Sequence, residues 1–307
     1  MNPYAPPWWL PGGHLQTLAA ALRPGTLPPA RRERWETPDG DFIDLDWSGD
    51  ERASRLLALF HGLEGSSGSH YARSLVARAA RSGWRCVVPH FRGCSGEPNR
   101  LPRGYHSGDS DELDWIFKRL LLSNQNLFAA GISLGGNVLL KWLGEQGENA
   151  RRILRGAAAV SAPLDLAASG KALDRGLNRH IYARMFLATL RPKAAEKLRR
   201  FPGLIVGERL RAASTLREFD DAVTAPLHGF RDADDYYARS SSAPLLARIA
   251  VPTLVLNARN DPFLPAAVLE RIEPSAALTL EFPDQGGHVG FPGRDDWLAR
   301  RLLEFFA

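Results

Sequence analysis

The chain has 307 residues, with 39 Lys and Arg against 34 Asp and Glu, a formal charge of +5 with histidine neutral. At 44% hydrophobic and 24% charged, it carries enough apolar side chains for one large core, which excludes disorder, a collagen-like rod and a coiled coil. No run approaches the roughly 18 uninterrupted apolar residues that span a bilayer, and the absence of a zinc-finger spacing, an RNA-binding motif or a compact basic run argues against nucleic acid as a partner.

The opening MNPYAPPWWLPGG lacks a basic region followed by an apolar stretch, so a cytoplasmic protein without an integral membrane segment is expected. Two cysteines, Cys86 and Cys94, are too few for a disulfide framework and have no metal-ligand spacing, so free thiols are expected. Residues 34–37 and 42–47 flank Pro38-Asp39-Gly40-Asp41, a turn signal, and predict a β-hairpin. Residues 56–60 are apolar throughout, the pattern of a strand buried on both faces, and stop at His61-Gly62. Helical spacing over 71–81 follows, then a strand at 86–89, a loop through Gly93 and Gly96, and a helix over 110–122. The buried-strand pattern returns at 126–131, followed by a helix over 138–144 and a strand at 157–160. Recurrence of strand, loop and helix predicts an α/β sheet.

After Ser161-Ala162-Pro163 the alternation lapses for about eighty residues rich in Arg, Ala and Leu, and helices are expected over 173–190 and 193–200. Strands resume at 252–257 and 277–282, before a terminal helix over 295–306. The expected organisation is a core of residues 1–160 and 246–307 with a helical lid insertion, 161–245, framed by strands and so lying above the sheet. Residues 171–211 hold eleven Lys and Arg but only Asp174, Glu196 and Glu208 as acids. A solvated helical face is the ordinary reading of such a segment, and peripheral contact with an anionic membrane surface is the alternative.

Gly131-Ile132-Ser133-Leu134-Gly135 fits G-x-S-x-G and lies directly between a predicted buried strand and a helix, where a sharp turn would present the Ser133 hydroxyl to a cleft. A serine hydroxyl is a weak nucleophile without a base in reach and a carboxylate to fix the base's tautomer. Asp261 stands just past one predicted strand and His288 just past the next, within Gly286-Gly287-His288-Val289-Gly290. Asp165 is an alternative acid. His14, His180 and His228 lie outside the predicted strand-end loops, while His90 and His106 sit in loops after the fourth strand. The amides of Leu134 and of Leu63, in His61-Gly62-Leu63-Glu64-Gly65-Ser66, are the expected oxyanion donors. Met185, Phe186 and Phe230, with Leu187, are candidates for holding an acyl group, or equally for packing the lid. Arg92 is expected to make a structural bond or to meet an anionic group, and Glu64 to act as a structural anchor.

The chain resembles the YheT-like branch of the α/β-hydrolase fold, which is related to plant embryogenesis-associated hydrolases and animal membrane-bound α/β-hydrolase-domain proteins. The resemblance runs nearly end to end, through Trp9, His14-Leu15-Gln16-Thr17, His61 to Ser66, Phe91-Arg92-Gly93-Cys94-Ser95-Gly96 and Tyr105-His106-Ser107-Gly108-Asp109. It continues through Gly131 to Asn137, Glu218-Phe219-Asp220-Asp221, Asp235-Tyr236-Tyr237 with Ser240-Ser241, and Asp261-Pro262-Phe263 with Gly287-His288. It implies an α/β-hydrolase fold with a mostly parallel eight-stranded sheet, Ser133, Asp261 and His288 as a triad, and ester hydrolysis without metal or organic cofactor. Many relatives carry two successive acids before Pro-Phe, whereas Asn260 precedes Asp261 here. The expected function is a serine carboxylester hydrolase acting on short- to medium-chain acyl esters through an acyl-enzyme. The alternatives are acyl transfer or lipase-type activity on the same triad, and a noncatalytic binding protein on the scaffold.

Overall fold

Leu56, Leu57, Ala58, Leu59 and Phe60 are all completely buried, which requires cover on both faces of a sheet. The structure, a computed structural model, describes residues 4–23, 28–123, 126–293 and 295–307. Its eight strands are β1 Arg31–Glu36, β2 Phe42–Ser48, β3 Leu56–Phe60, β4 Arg85–Pro89, β5 Leu127–Ile132, β6 Leu154–Val160, β7 Thr253–Leu256 and β8 Leu278–Glu281. They form one sheet in the order β1-β2-β4-β3-β5-β6-β7-β8. β2 runs antiparallel to both its neighbours, and every other pair is parallel. From β3 the chain crosses to β4 on one side and then to β5 on the other. The loops leaving β3 and β5 therefore separate at one edge of the sheet, the crevice where open α/β folds place their ligands.

The helices before the long insertion are α1 Gly13–Ala21, α2 His70–Arg81, α3 Ser110–Leu121 and α4 Leu134–Gln146. Within it lie α5 Leu166–Leu173, α6 Gly176–Asn178, α7 Arg184–Arg200, α8 Gly207–Ala212, α9 Leu216–Phe219, α10 Ala225–His228 and α11 Ala233–Ser240; α12 Ala266–Leu269 and α13 Trp297–Phe306 follow. The two faces of β3 alternate as a strand must. Leu56, Ala58 and Phe60 pack with Phe117 of α3 and Trp142 of α4, while Leu57 and Leu59 pack with Leu75 of α2 and Leu302 of α13. α2 buries Ala72, Leu75, Val76 and Ala79, the i, i+3, i+4, i+7 stripe of an amphipathic helix.

The segment between β6 and β7 is helical and has an apolar cluster of its own, including Leu187, Ala194, Leu216, Phe219 and Val223. Sequence reading ends one helix near Pro192, but α7 runs through it. Proline removes one N–H from the ladder, and the carbonyl it deprives is four residues back, on Ala188, whose exposed position leaves it to water. α1 has no counterpart in the sequence-based prediction. Among the described residues, no helix is long and apolar enough to cross a membrane.

Candidate active site

β5 delivers the chain into α4 through a single residue, Ser133, at φ 52° and ψ −119°. A non-glycine residue in this region is strained and persists only where its surroundings hold it. Here the Ser133 N–H donates to the Val160 carbonyl on β6 at 2.8 Å. The turn is tight enough that a Cβ on Gly131 would collide with the Gly135 backbone, and one on Gly135 would come within 2.5 Å of the Phe60 carbonyl oxygen. The hydroxyl thus stands at the end of the central strand, at the floor of a cavity of about 420 Å³.

The loops after β7 and β8 bring two further side chains to it. His288 Nε2 lies 2.9 Å from Ser133 Oγ and its Nδ1 lies 2.8 Å from Asp261 Oδ2. The second Asp261 oxygen accepts the Phe263 N–H at 2.8 Å, so this fully buried carboxylate is held at both ends. Phe263 covers the imidazole, with ring centroids 4.0 Å apart. The histidine loop is tied down from α1: the His288 N–H donates to Thr17 Oγ1 and the Gly286 N–H to Gln16 Oε1, both at 2.8 Å. Asn260 accepts the Gly287 N–H and donates to Gln16 and Gln285. Asn260, the residue before Asp261, is therefore a polar bracket for the His288 loop.

The loop after β3 lies against this group, a Cβ on Gly62 coming within 3.2 Å of Ser133 Cβ. The Phe91 N–H donates to His61 Nε2 at 3.1 Å. This puts the imidazole proton on Nδ1, which donates to the Gly62 carbonyl at 2.8 Å. Burial pushes the His61 pKa down to about 3, so the ring stays neutral in this role. The Gly65 N–H reaches the same carbonyl at 3.0 Å. Because the N–H and C=O of a trans peptide point in opposite directions, the Leu63 N–H is aimed away from those donors. The amides on either side are occupied by tyrosine hydroxyls, Gly62 by Tyr71 and Glu64 by Tyr105, each at 2.8 Å. The Leu63 amide has no partner among the described residues, and that of Leu134, the first of α4, has no acceptor within its helix. Both residues line the cavity with Ser133 and His288.

The sequence matches the α/β hydrolase fold family over residues 55–294. The chain belongs to the α/β-hydrolase family. This hydrolase is 41% identical to the Escherichia coli (strain K12) protein named "Putative esterase YheT", over 95% of this chain and 89% of that one. It is 30% identical to human "Phospholipase ABHD3", over 98% of this chain and 78% of that protein. Among solved structures it resembles a Pyrococcus furiosus esterase at TM-score 0.59 and 16% identity, over 90% of each chain. It also resembles the thioesterase domain of the curacin biosynthetic pathway, at TM-score 0.57 and 16% identity over 90% of this chain and 99% of that one. At such identities these likenesses concern the fold.

The remaining candidates of the hydrolase do not bond to Ser133, Asp261 or His288, although Arg92, His106, His228 and Phe186 line the same cavity. Asp165 caps α5, accepting the Ala168 N–H at 2.9 Å. His90 is buried against Asp46, and the His14 ring stacks on Tyr182. His106 and His228 face each other at 4.5 Å, and burial lowers the pKa of both. His180 is exposed on the π-helical stretch Arg179–Ala183 that leads into α7. Arg92 bonds to the carboxylates of Glu112, Asp39 and Asp41, a structural role met by side chains rather than backbone. Phe186 lines the cavity. Met185 does not: one residue around the helix puts it on the outer face, 54% exposed. Phe230 also lies outside the lining, packed on Tyr236 and His106. Among the described residues, no group of His, Cys, Asp and Glu is placed to hold a metal ion.

Sequence reasoning missed Tyr71 and the bracket formed by Gln16 and Asn260. Tyr105 and Gln16 lie in motifs that carry the family resemblance, which is the one signal that marked them. Nothing in the sequence marks Tyr71.

Proposed function

We propose that this protein is a serine carboxylester hydrolase for short- to medium-chain acyl esters, with Ser133 as nucleophile, His288 as general base and Asp261 as its orienting acid. The observation that carries the reading is the unbroken chain from Asp261 Oδ2 through the imidazole to Ser133 Oγ, at 2.8 and 2.9 Å, in a cavity lined also by Leu63 and Leu134, whose amides have no partner among the described residues. As Ser133 Oγ bonds to the acyl carbon, its proton passes to His288 Nε2 and the carbonyl oxygen becomes an oxyanion received by the Leu63 and Leu134 amides. Collapse breaks the bond to the alcohol oxygen, which takes the proton from Nε2. Water then gives a proton to Nε2 as its oxygen attacks the acyl-enzyme, and the second collapse returns that proton to Ser133 and frees the acid.

The cavity of about 420 Å³ is toward the small end for small-molecule sites, which supports acyl chains of limited length, with Phe186 among its apolar walls. Residues 161–245 act in this reading as the lid. Two free thiols suit a reducing compartment such as the cytoplasm. Turnover of p-nitrophenyl esters from acetate to palmitate is expected to peak at a short or medium chain and to disappear in Ser133→Ala. Equal rates for both proteins would sink the reading.

The basic segment supports a second proposal, peripheral contact with anionic membranes. Lys171, Arg175, Arg179, Arg184 and Arg191 form no ion pair among the described residues, and the exposed apolar side chains of Leu177, Ile181 and Met185 lie between them. Cations beside exposed apolar side chains are the composition of an interfacial helix. Co-sedimentation with phosphatidylglycerol-containing vesicles is expected, with loss at high salt and in Ile181→Ser/Met185→Ser. Absence of binding at low salt, or equal binding to neutral vesicles, would overturn it.

A further inference from the structure

We propose that Lys193, on α7, is a positioning residue that holds the Leu63 amide in place through Glu64 and Tyr105, so that the oxyanion site is complete only when the lid is seated. The proposal rests on the hydrolase reading above and adds a regulation of that same site.

Glu64 follows Leu63 directly and is held at φ 55°, a left-handed conformation that a non-glycine residue keeps only when its surroundings enforce it. The enforcing group is Tyr105. Its hydroxyl accepts the Glu64 N–H at 2.8 Å and donates to Glu64 Oε1 at 2.9 Å, closing a ring over the residue. The Tyr105 ring is fixed by stacking on Phe91, with planes 7° apart and centroids at 5.2 Å. The Glu64 carboxylate is only 9% exposed, and its cation is Lys193, at 2.8 Å from Oε2 and 2.9 Å from Oε1. Through Lys193 the insertion bonds to the loop expected to carry the oxyanion donor. The other basic side chains of α7 that reach the core, Lys197 and Arg200, bond to Asn99, Leu101 and Arg100 instead.

A nearly buried carboxylate that loses its counter-charge gains by turning toward water. Glu64 would then withdraw its oxygen from Tyr105, the hydroxyl would no longer be oriented to receive the Glu64 amide, and the left-handed turn would relax. Leu63 shares that turn, so its amide would drift from the oxyanion position. Geometry at such a site must hold to within about half an ångström for full effect. Moving the lid breaks the same contact as deleting Lys193.

The test compares kcat, KM and affinity for a trifluoromethyl ketone in wild type, Lys193→Met, Lys193→Arg, Tyr105→Phe, the Lys193→Met/Tyr105→Phe double variant and Arg200→Met. Loss of a whole oxyanion donor costs about 10²- to 10³-fold, so misplacing one in Lys193→Met is expected to lower kcat about 10- to 100-fold with KM within about threefold. Ketone affinity should fall by the same factor, Lys193→Arg should recover most of the loss, and the double variant should be no worse than the poorer single one. Arg200→Met loosens the lid elsewhere and should lower thermal stability with kcat near wild type. If Lys193→Met loses stability but keeps its kcat, Lys193 is lid adhesive and the proposal fails. If Ser133→Ala is as active as wild type, the hydrolase reading fails instead, so the two failures are distinct.

Discussion

In the proposed mechanism His288 can act as a base only while its Nδ1 carries the proton, and Asp261, 2.8 Å from that nitrogen, is the group that would keep it there. Asp261→Asn replaces an acceptor by an amide that satisfies the imidazole equally well in the wrong tautomer, so kcat is expected to fall by about 10⁴ with little change in KM. Steady-state kinetics on one ester would check this, and a loss under tenfold would remove Asp261 from its role. The three side chains that meet at this point were each legible in the sequence because a glycine-framed serine and two strand-end loops mark them locally. The bonds of the Tyr71 and Tyr105 hydroxyls were not, since a hydroxyl's partner in another loop depends on how helices and loops dock. Met185 and Phe230 misled for a related reason. Apolar side chains in a helical insertion can face the cavity, the insertion's own core or water, and composition does not distinguish these.

At the scale of elements, α1 explains why Gln16 is completely buried. It joins the Leu10 carbonyl, the Gly286 amide, Gln285 and Asn260, fastening the chain's first helix to the His288 loop. Gln16→Leu leaves several of those groups unpaired out of reach of water, and is expected to cost about 2–4 kcal/mol of stability. Denaturant unfolding measures it, and a cost below about 0.5 kcal/mol would mean the bracket is replaceable. Strands β3 and β5 were readable almost to the residue, because burial on both faces demands an uninterrupted apolar run. The helices after β6 were read with a false break at Pro192, because local propensity penalises a proline that α7 accommodates at an exposed turn.

For the whole molecule, the interior carries opposing pH dependences. Burial pushes Asp109 up to about 7 and Asp220 up to about 6, so these carboxyls favour the folded state as pH falls toward their unfolded values. His228 acts in the opposite direction. Burial first, and then the nearby Arg103 and Lys197, push it down to about 3. Between pH 6.5 and 3 the unfolded chain therefore binds a proton that the folded chain refuses, and stability is lost as pH falls, by up to roughly 1.4 kcal/mol per pH unit. His228→Phe keeps an aromatic ring against His106 and removes that proton. Its melting temperature relative to wild type is expected to rise as pH drops from 7 to 4.5, and parallel curves would contradict this assignment.

The central claim, that Ser133 carries the acyl group, is tested most directly by mass spectrometry of the intact and digested protein after exposure to a fluorophosphonate. One adduct per chain is expected, on the peptide containing Ser133, and none in Ser133→Ala. Label on another residue, or no label from a protein that still turns over esters, would contradict the account.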